Sequence, residues 1–168
     1  SQDPGPAWKP SATADFNHDG KPDVVLRSPT SQLIKIWTMN GNVLTGTLVP
    51  SPDHAVDANW EIVGAQDWNG DGATDFLWYN STSGKIVLWY MKSQTTQLLY
   101  TGREVSGLTF LGIDRLASGS ADGTIAVWDL TVGVPVAIAG SGDTKAKLAF
   151  SADGKLAARA SGDRRSLR

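Results

Sequence analysis

Asp15-Phe16-Asn17-His18-Asp19-Gly20-Lys21-Pro22-Asp23 returns 52 residues later as Asp67-Trp68-Asn69-Gly70-Asp71-Gly72-Ala73-Thr74-Asp75. Both copies carry oxygen-bearing side chains at positions 1, 3, 5 and 9, and a glycine at position 6, where a loop must turn sharply around a hard cation. The pattern points to two calcium loops. Asp15, Asn17, Asp19 and Asp23 are the side-chain ligands expected in the first, and Asp67, Asn69, Asp71 and Asp75 in the second. The position-7 carbonyls of Lys21 and Ala73 are candidate backbone ligands, and water completes the shell.

An EF-hand loop begins in the same way but needs a bidentate Glu at position 12 and a helix on each side. Position 12 here is Leu26 or Trp78. The segments that follow, Val24-Val25-Leu26 and Phe76-Leu77-Trp78, are β-branched, aliphatic or aromatic runs of the kind found in buried strands. Each loop is therefore expected to end in a strand. The blander alternative is that Asp and Asn only form side-chain-to-backbone turns. It would account for one copy, whereas two copies at equivalent places in a repeat favour calcium.

The repetition extends well beyond the loops. Trp8 matches Trp60, Trp37 matches Trp89 and Met39 matches Met91, all 52 apart without a gap. The first copy predicts strands over 8–14, 22–28, 32–39 and 43–49, with turns at Ser28-Pro29-Thr30 and Asn40-Gly41-Asn42. The second predicts strands over 60–65, 74–79, 85–91 and 97–100. A unit that is apolar on both faces, as at Ile86-Val87-Leu88-Trp89, cannot bury itself alone and must stack on neighbours.

After Thr101-Gly102 the texture changes. Leu108-Thr109-Phe110, then the run from Leu116 to Leu130 and a strand at Pro135 to Ala139, make a different four-stranded unit, with Asp122-Gly123 as a hairpin signal. Another copy starts at Lys147, with Leu108, Phe110 and Leu116 matching Leu148, Phe150 and Leu156, each 40 apart. Where its third strand should bring a tryptophan, the chain reads Arg164-Arg165-Ser166-Leu167-Arg168.

Composition narrows the functional classes. The 168 residues are enough for a real core. A formal charge of −2 gives no electrostatic case for nucleic acid or an acidic membrane surface. Without cysteine there are no disulfides, thiolate zinc sites or cysteine nucleophiles. No apolar run approaches the roughly 18 residues of a membrane span. Ser1 to Pro6 lacks the regions of a signal peptide, which fits a mature or trimmed N-terminus. Only His18 and His54 are available for a Ser-His-Asp site, and no nucleophile-elbow motif accompanies them. The aspartate clusters that a glycosidase would need are already assigned to calcium. Gly140-Ser141-Gly142-Asp143 lacks the Lys and helix of a phosphate loop. The basic group Arg159, Arg164, Arg165 and Arg168 has no aromatic platform for bases.

Residues 1–102 resemble the FG-GAP or VCBS repeats of calcium-binding β-propellers, through the Asp-x-Asn-x-Asp-Gly-x-x-Asp loop, the strand after it and the Ile-x-x-Trp-x-Met strand. In that family the loop carboxylates coordinate calcium within a blade. Residues 103–168 resemble WD repeats, through Leu116-Ala117-Ser118-Gly119-Ser120-Ala121-Asp122-Gly123-Thr124-Ile125-Ala126-Val127-Trp128-Asp129-Leu130. Ser118, Asp122 and Trp128 match three members of that family's blade hydrogen-bond network, while its Gly-His dipeptide is missing. Two repeat families in one short chain imply a recombined or designed segment. The competing account is a divergent natural protein or a fragment of a longer one.

The expectation is an all-β protein of four-stranded antiparallel propeller blades, about 3.5 per chain where closed propellers have at least four. Two chains would supply seven blades, so a homodimer that closes the ring is the leading assembly. The expected activity is non-enzymatic: calcium binding that rigidifies two blades, and a surface for protein association, above all with itself. The alternative is a lectin-like propeller, with Trp68, Trp78, Tyr79, Trp89 and Tyr90 offering faces for sugar rings and Trp68 the best exposed candidate. The calcium repeats imply an extracellular setting and the WD repeats an intracellular one, so the compartment stays open.

Overall fold

In the computed structural model of the chain, residues 8–55, 57–99, 105–120, 124–139, 147–150 and 157–160 are described. They form fourteen strands and no helix, so no helix among them is long and apolar enough to cross a membrane. The fold is all-β: three four-stranded antiparallel sheets of the kind that build propeller blades, and one two-stranded sheet. The first sheet holds β1 (Lys9–Ala14), β2 (Asp23–Arg27), β3 (Ile34–Asn40) and β4 (Val43–Leu48), in that order. The second holds β5 (Trp60–Gln66), β6 (Asp75–Asn80), β7 (Ile86–Tyr90) and β8 (Thr95–Leu99). The third runs β9 (Val105–Phe110), β10 (Arg115–Ser120), β11 (Ile125–Asp129) and β12 (Val134–Ala139). β13 (Lys147–Phe150) pairs with β14 (Ala157–Ala160).

Strand limits differ from the sequence expectation by one to three residues, most at β9, which starts at Val105 instead of Leu108. Composition marks where a strand is apolar, but the ladder ends where backbone pairing ends. The turn at Asp122-Gly123, the glycine-rich run 140–143 and Arg164, Arg165 and Arg168 lie outside the described residues.

The chain divides into two compact units, Ser1–Ser81 with Val87–Gln97, and Thr82–Ile86 with Leu98–Arg168. In the first, the repeat is visible in the ladders as well as in the sequence. The first sheet has a register shift between Pro10 and Ala12, and the second has one between Ile62 and Gly64, again 52 apart. An extra residue at the same place in both inner strands twists each blade alike. The middle strands are buried on both faces: Val25 and Leu26 in β2, Phe76, Leu77 and Trp78 in β6. Outer strands β4 and β8 are largely exposed. This gradient is that of a sheet covered on both faces and open along one edge.

Val25, Ile34, Ile36, Ala55, Ile62, Phe76 and Trp78 form one buried cluster, with Phe16, Trp60, Val87, Trp89 and Met91 packed around it. It joins the facing surfaces of the first and second sheets. Phe16 of the first loop meets Phe76 of β6 at 5.7 Å between ring centroids, and Phe76 meets Trp78 edge-on at 6.3 Å. The connection into the second sheet is fastened by backbone. Ile34 N–H donates to Asp53 O (2.6 Å), Ala55 N–H donates to Gln32 O (3.0 Å), and the buried Arg27 guanidinium reaches Gln32 Oε1 (2.6 Å) and Asp57 O (3.2 Å). Burial lowers the Arg27 pKa, with Glu61 and Asp57 opposing the change.

In the second unit, the connection between β9 and β10 is only Leu111-Gly112-Ile113-Asp114, with no counterpart of the eight-residue loops. Leu116, Ala117, Ala126 and Leu130 are buried. The Trp128 indole N–H donates to Ser118 Oγ at 3.0 Å, with both residues buried. Asp122, expected in the same network, lies outside the described residues.

Phe76→Ala removes the ring at the centre of the first unit's core. It should cost about 3–5 kcal/mol in urea unfolding, against under about 0.5 kcal/mol for Val43→Ala on the exposed fourth strand.

Candidate metal centre

The two loops connect the first and second strands of their sheets, with the ninth residue of each repeat opening the second strand, and share most of their hydrogen bonds. At position 1, Asp15 Oδ1 accepts from Asp19 N–H (3.2 Å) and Oδ2 from Gly20 N–H (2.8 Å). Asp67 Oδ1 accepts from Gly70 N–H (2.8 Å) and Asp71 N–H (3.1 Å), and Oδ2 from Gly72 N–H (2.9 Å). At position 3, Asn17 Oδ1 and Asn69 Oδ1 accept from the N–H of Asp19 (3.1 Å) and Asp71 (3.0 Å). At position 5, Asp19 Oδ1 and Asp71 Oδ1 each accept the N–H of residue 7, Lys21 or Ala73, at 2.9 Å. Wrapping the backbone round position 1 needs left-handed residues at positions 4 and 6. These are His18 (φ 60°) and Gly20 (φ 80°) in one loop, Gly70 (φ 72°) and Gly72 (φ 84°) in the other.

Position 9 behaves differently from the others. Asp23 and Asp75 are fully buried, and each carboxylate spans two parts of its sheet. Asp23 Oδ2 accepts Phe16 N–H and Oδ1 accepts Met39 N–H, both at 2.9 Å. Asp75 repeats this with Trp68 N–H (3.2 Å) and Met91 N–H (3.1 Å). The carboxylate thus ties loop position 2 to the end of the third strand, across 16 residues of sequence. Sequence reasoning paired Met39 with Met91 but missed that it is their backbone that matters; the constant spacing from Asp23 and Asp75 was the available signal.

The arrangement overturns one expectation. Trp68, offered as an exposed contact for sugars, is 4% exposed. Its N–H is held by the buried Asp75 carboxylate, which turns position 2 inward. Phe16 likewise packs against the core. The lectin alternative loses its best residue. Trp78 is buried too, and Trp89 packs beside it at 5.9 Å.

The loops lie side by side. Thr74 Oγ1 donates to Asp15 O (3.1 Å), binding position 8 of the second loop to position 1 of the first. A cleft of about 580 Å³ between them is lined by Asp15, His18, Gln66, Asp67 and Thr74 among others. Lys92 Nζ donates to Asp71 O at 2.5 Å, a cation that the first loop lacks, since Asn40 stands at the matching place. Among the described residues, no three Asp, Glu or His side chains converge as a ready-made metal cluster. The donor chemistry nevertheless suits a hard cation: positions 1, 3 and 5 offer only oxygens as acceptors, and all but Asp67 Oδ1, which takes two N–H groups, accept a single hydrogen bond. As they stand, the loops are closed on themselves by Asn17 Nδ2 and Asn69 Nδ2 donating to Oδ2 of Asp19 (3.2 Å) and Asp71 (3.1 Å).

Burial pushes the Asp75 carboxyl above its ordinary value of 3.8; the Met91 and Trp68 N–H groups pull it down, and the charges of Asp71 and Asp67 add to the rise. The folded chain therefore holds this proton more tightly than the unfolded one. Its stabilisation is complete below 3.8 and lost as pH rises through the raised value.

With chelator present, the parent chain should gain more, or lose less, in urea midpoint than Asp75→Asn as pH is lowered towards 4, since Asp53 and Asp129, whose pKa values are lowered, act in the opposite sense in both. Asp23→Ala orphans two part-buried N–H groups and should cost about 1–3 kcal/mol for each, whereas Asp19→Ala, on the exposed rim, should cost under about 1 kcal/mol.

No curated protein matches the chain. Among solved structures, the computationally designed Ika4 protein is 21% identical, with a TM-score of 0.46 and 91% of each chain covered. The computationally designed Ika8 protein is also 21% identical, with a TM-score of 0.45; 90% of this chain is covered but only 45% of that one. The FG-GAP-like repeat family matches residues 15–78, from the first aspartate of the first loop to the strand that follows the second.

Proposed function

We propose that the chain is a non-enzymatic β-propeller scaffold in which two calcium ions lock the first and second blades and a second copy of the chain completes the ring. The observation that carries the calcium reading is the duplication itself. Two loops 52 residues apart wrap the same backbone turn around oxygen atoms at positions 1, 3 and 5, within a segment similar to FG-GAP-like repeats. Asp15, Asn17 and Asp19, and Asp67, Asn69 and Asp71, would hold the ion, with the carbonyls of Lys21 and Ala73 and water. The buried carboxylates of Asp23 and Asp75 anchor each loop and keep a lone pair on each oxygen for the same ion. Binding requires the Asn side-chain amides to swing off position 5, so the ion replaces a hydrogen bond with stronger coordination.

Scaffolding is favoured over catalysis because neither histidine stands in a Ser-His-Asp arrangement among the described residues. His54 pairs with its neighbour Asp53 at the surface (2.8 Å), and His18 occupies a left-handed loop position. Self-association is supported by the two-stranded sheet β13–β14, which among the described residues has two strands where the other sheets have four, since an open strand edge seeks a partner. The reading of the third sheet as the WD type is supported by the buried Trp128–Ser118 bond. Joining the two repeat types by recombination or design accounts for both.

Calcium should raise the melting temperature, with about 2.7 kcal/mol of added stability per site at a hundred-fold excess over Kd, and chelator should reverse it. Calorimetry should count two ions for the chain and one for Asp71→Ala. Lys92→Asn should tighten the second site by removing a competing cation. A melt that calcium leaves unchanged sinks the metal reading. Light scattering at micromolar concentration should give the mass of a dimer, and a sharp monomer mass refutes ring closure by a second copy.

A further inference from the structure

The first blade contains a cation seated between tryptophans. Lys35 Nζ on β3 lies 4.1 Å from the centroid of the Trp8 ring and 5.5 Å from that of Trp37. Both distances are within the roughly 6 Å over which an aromatic face attracts a cation. The second blade keeps both aromatic walls, because Trp60 and Trp89 stand 52 residues after Trp8 and Trp37. It lacks the cation: Val87 replaces Lys35. It also gains a third indole, Trp78, where the first blade has Leu26, and Trp78 and Trp89 pack at 5.9 Å with ring planes tilted by 45°.

The space that a lysine chain would fill is open. A groove of about 270 Å³ is lined by Ala55, Trp60, Trp78, Val87, Trp89 and Thr96, with no charged residue among the described lining. We propose that this groove binds a small quaternary ammonium compound of the choline type, held by the faces of Trp60, Trp78 and Trp89 in the place that Lys35 occupies in the first blade.

Three considerations select that class. A primary ammonium has three N–H donors to satisfy, which the half-buried Lys35 does in part through solvent but an apolar groove does not; a quaternary ammonium has none. The volume lies just below the roughly 300–1,000 Å³ of pockets for drug-sized ligands, so it suits a head group rather than an extended molecule. The described lining offers no cation to pair a phosphate, which favours free choline over a phosphocholine head group. The inference does not depend on calcium or on ring closure.

The test is calorimetric titration, with tryptophan fluorescence as a second readout. The probes are choline, tetramethylammonium, phosphocholine and 3,3-dimethyl-1-butanol, the neutral carbon isostere of choline. Choline should bind the intact chain once, with a Kd on the order of millimolar, and about ten-fold more tightly than the neutral isostere. Val87→Lys should seat its own ammonium in the groove and abolish binding while the far-ultraviolet spectrum is retained. Lys35→Val should open the matching space in the first blade and raise the stoichiometry from one towards two, a readout that stands even if Val87→Lys fails to fold. Equal affinity for the neutral isostere, binding of phosphocholine without choline, undiminished binding by folded Val87→Lys, or no saturable binding would each overturn the proposal.

Discussion

The structure of the first unit depends on a carboxylate placed where no water reaches it. Asp23 and Asp75 are fully buried, and each accepts two backbone N–H groups, one from the second residue of its loop and one from the end of the third strand. A buried charge is costly, but charge-assisted hydrogen bonds to backbone donors offset much of that cost. The compensation is incomplete at Asp75, whose carboxyl is pushed up by burial despite both bonds, with the Asp67 and Asp71 charges adding to the shift. A cation held by the loop would relieve the last contribution directly, so loop chemistry and blade stability are linked through one side chain.

From that bracket the rest of the unit follows. Fixing position 2 aims Phe16 and Trp68 inward, and Phe16 then meets Phe76 across the two sheets. Fixing the loop also brings the Thr74 hydroxyl to the Asp15 carbonyl, so the two candidate cation sites share a wall. The blades are therefore joined at two levels, by hydrophobic packing between sheet faces and by a polar contact between loops. Neither blade presents such a surface alone, as expected for a repeat that buries its faces by stacking.

Much of this was legible in the residues. The 52-residue period, the eight-residue loop and the apolar runs after it fixed the strand order and placed Val25, Leu26, Phe76 and Leu77 in the core. The Asn40-Gly41-Asn42 signal located the turn between β3 and β4, because glycine and asparagine act through local backbone geometry. The role of position 9 was not legible, since an aspartate that ligates a metal and one that braces two backbone segments look the same in a string. Trp68 was misread for a related reason: a tryptophan in a polar loop suggests exposure until the N–H beside it is found tied inward. The contrast between Lys35 and Val87 was visible as a substitution, but only the placement of Trp8 and Trp37 around the ammonium gave it meaning.

The sequence by itself determined the elements and their period, because hydrophobic alternation, turn residues and loop spacing act over a few residues at a time. It also determined the chemical character of the loops, which offer oxygen acceptors and no sulfur. Tertiary structure alone decided which oxygens are buried, which indoles face a groove and which carboxylate joins strands 16 residues apart. Those outcomes depend on solvent exclusion between surfaces far apart in the chain, and burial is a property of the packed sheets rather than of any single stretch within them.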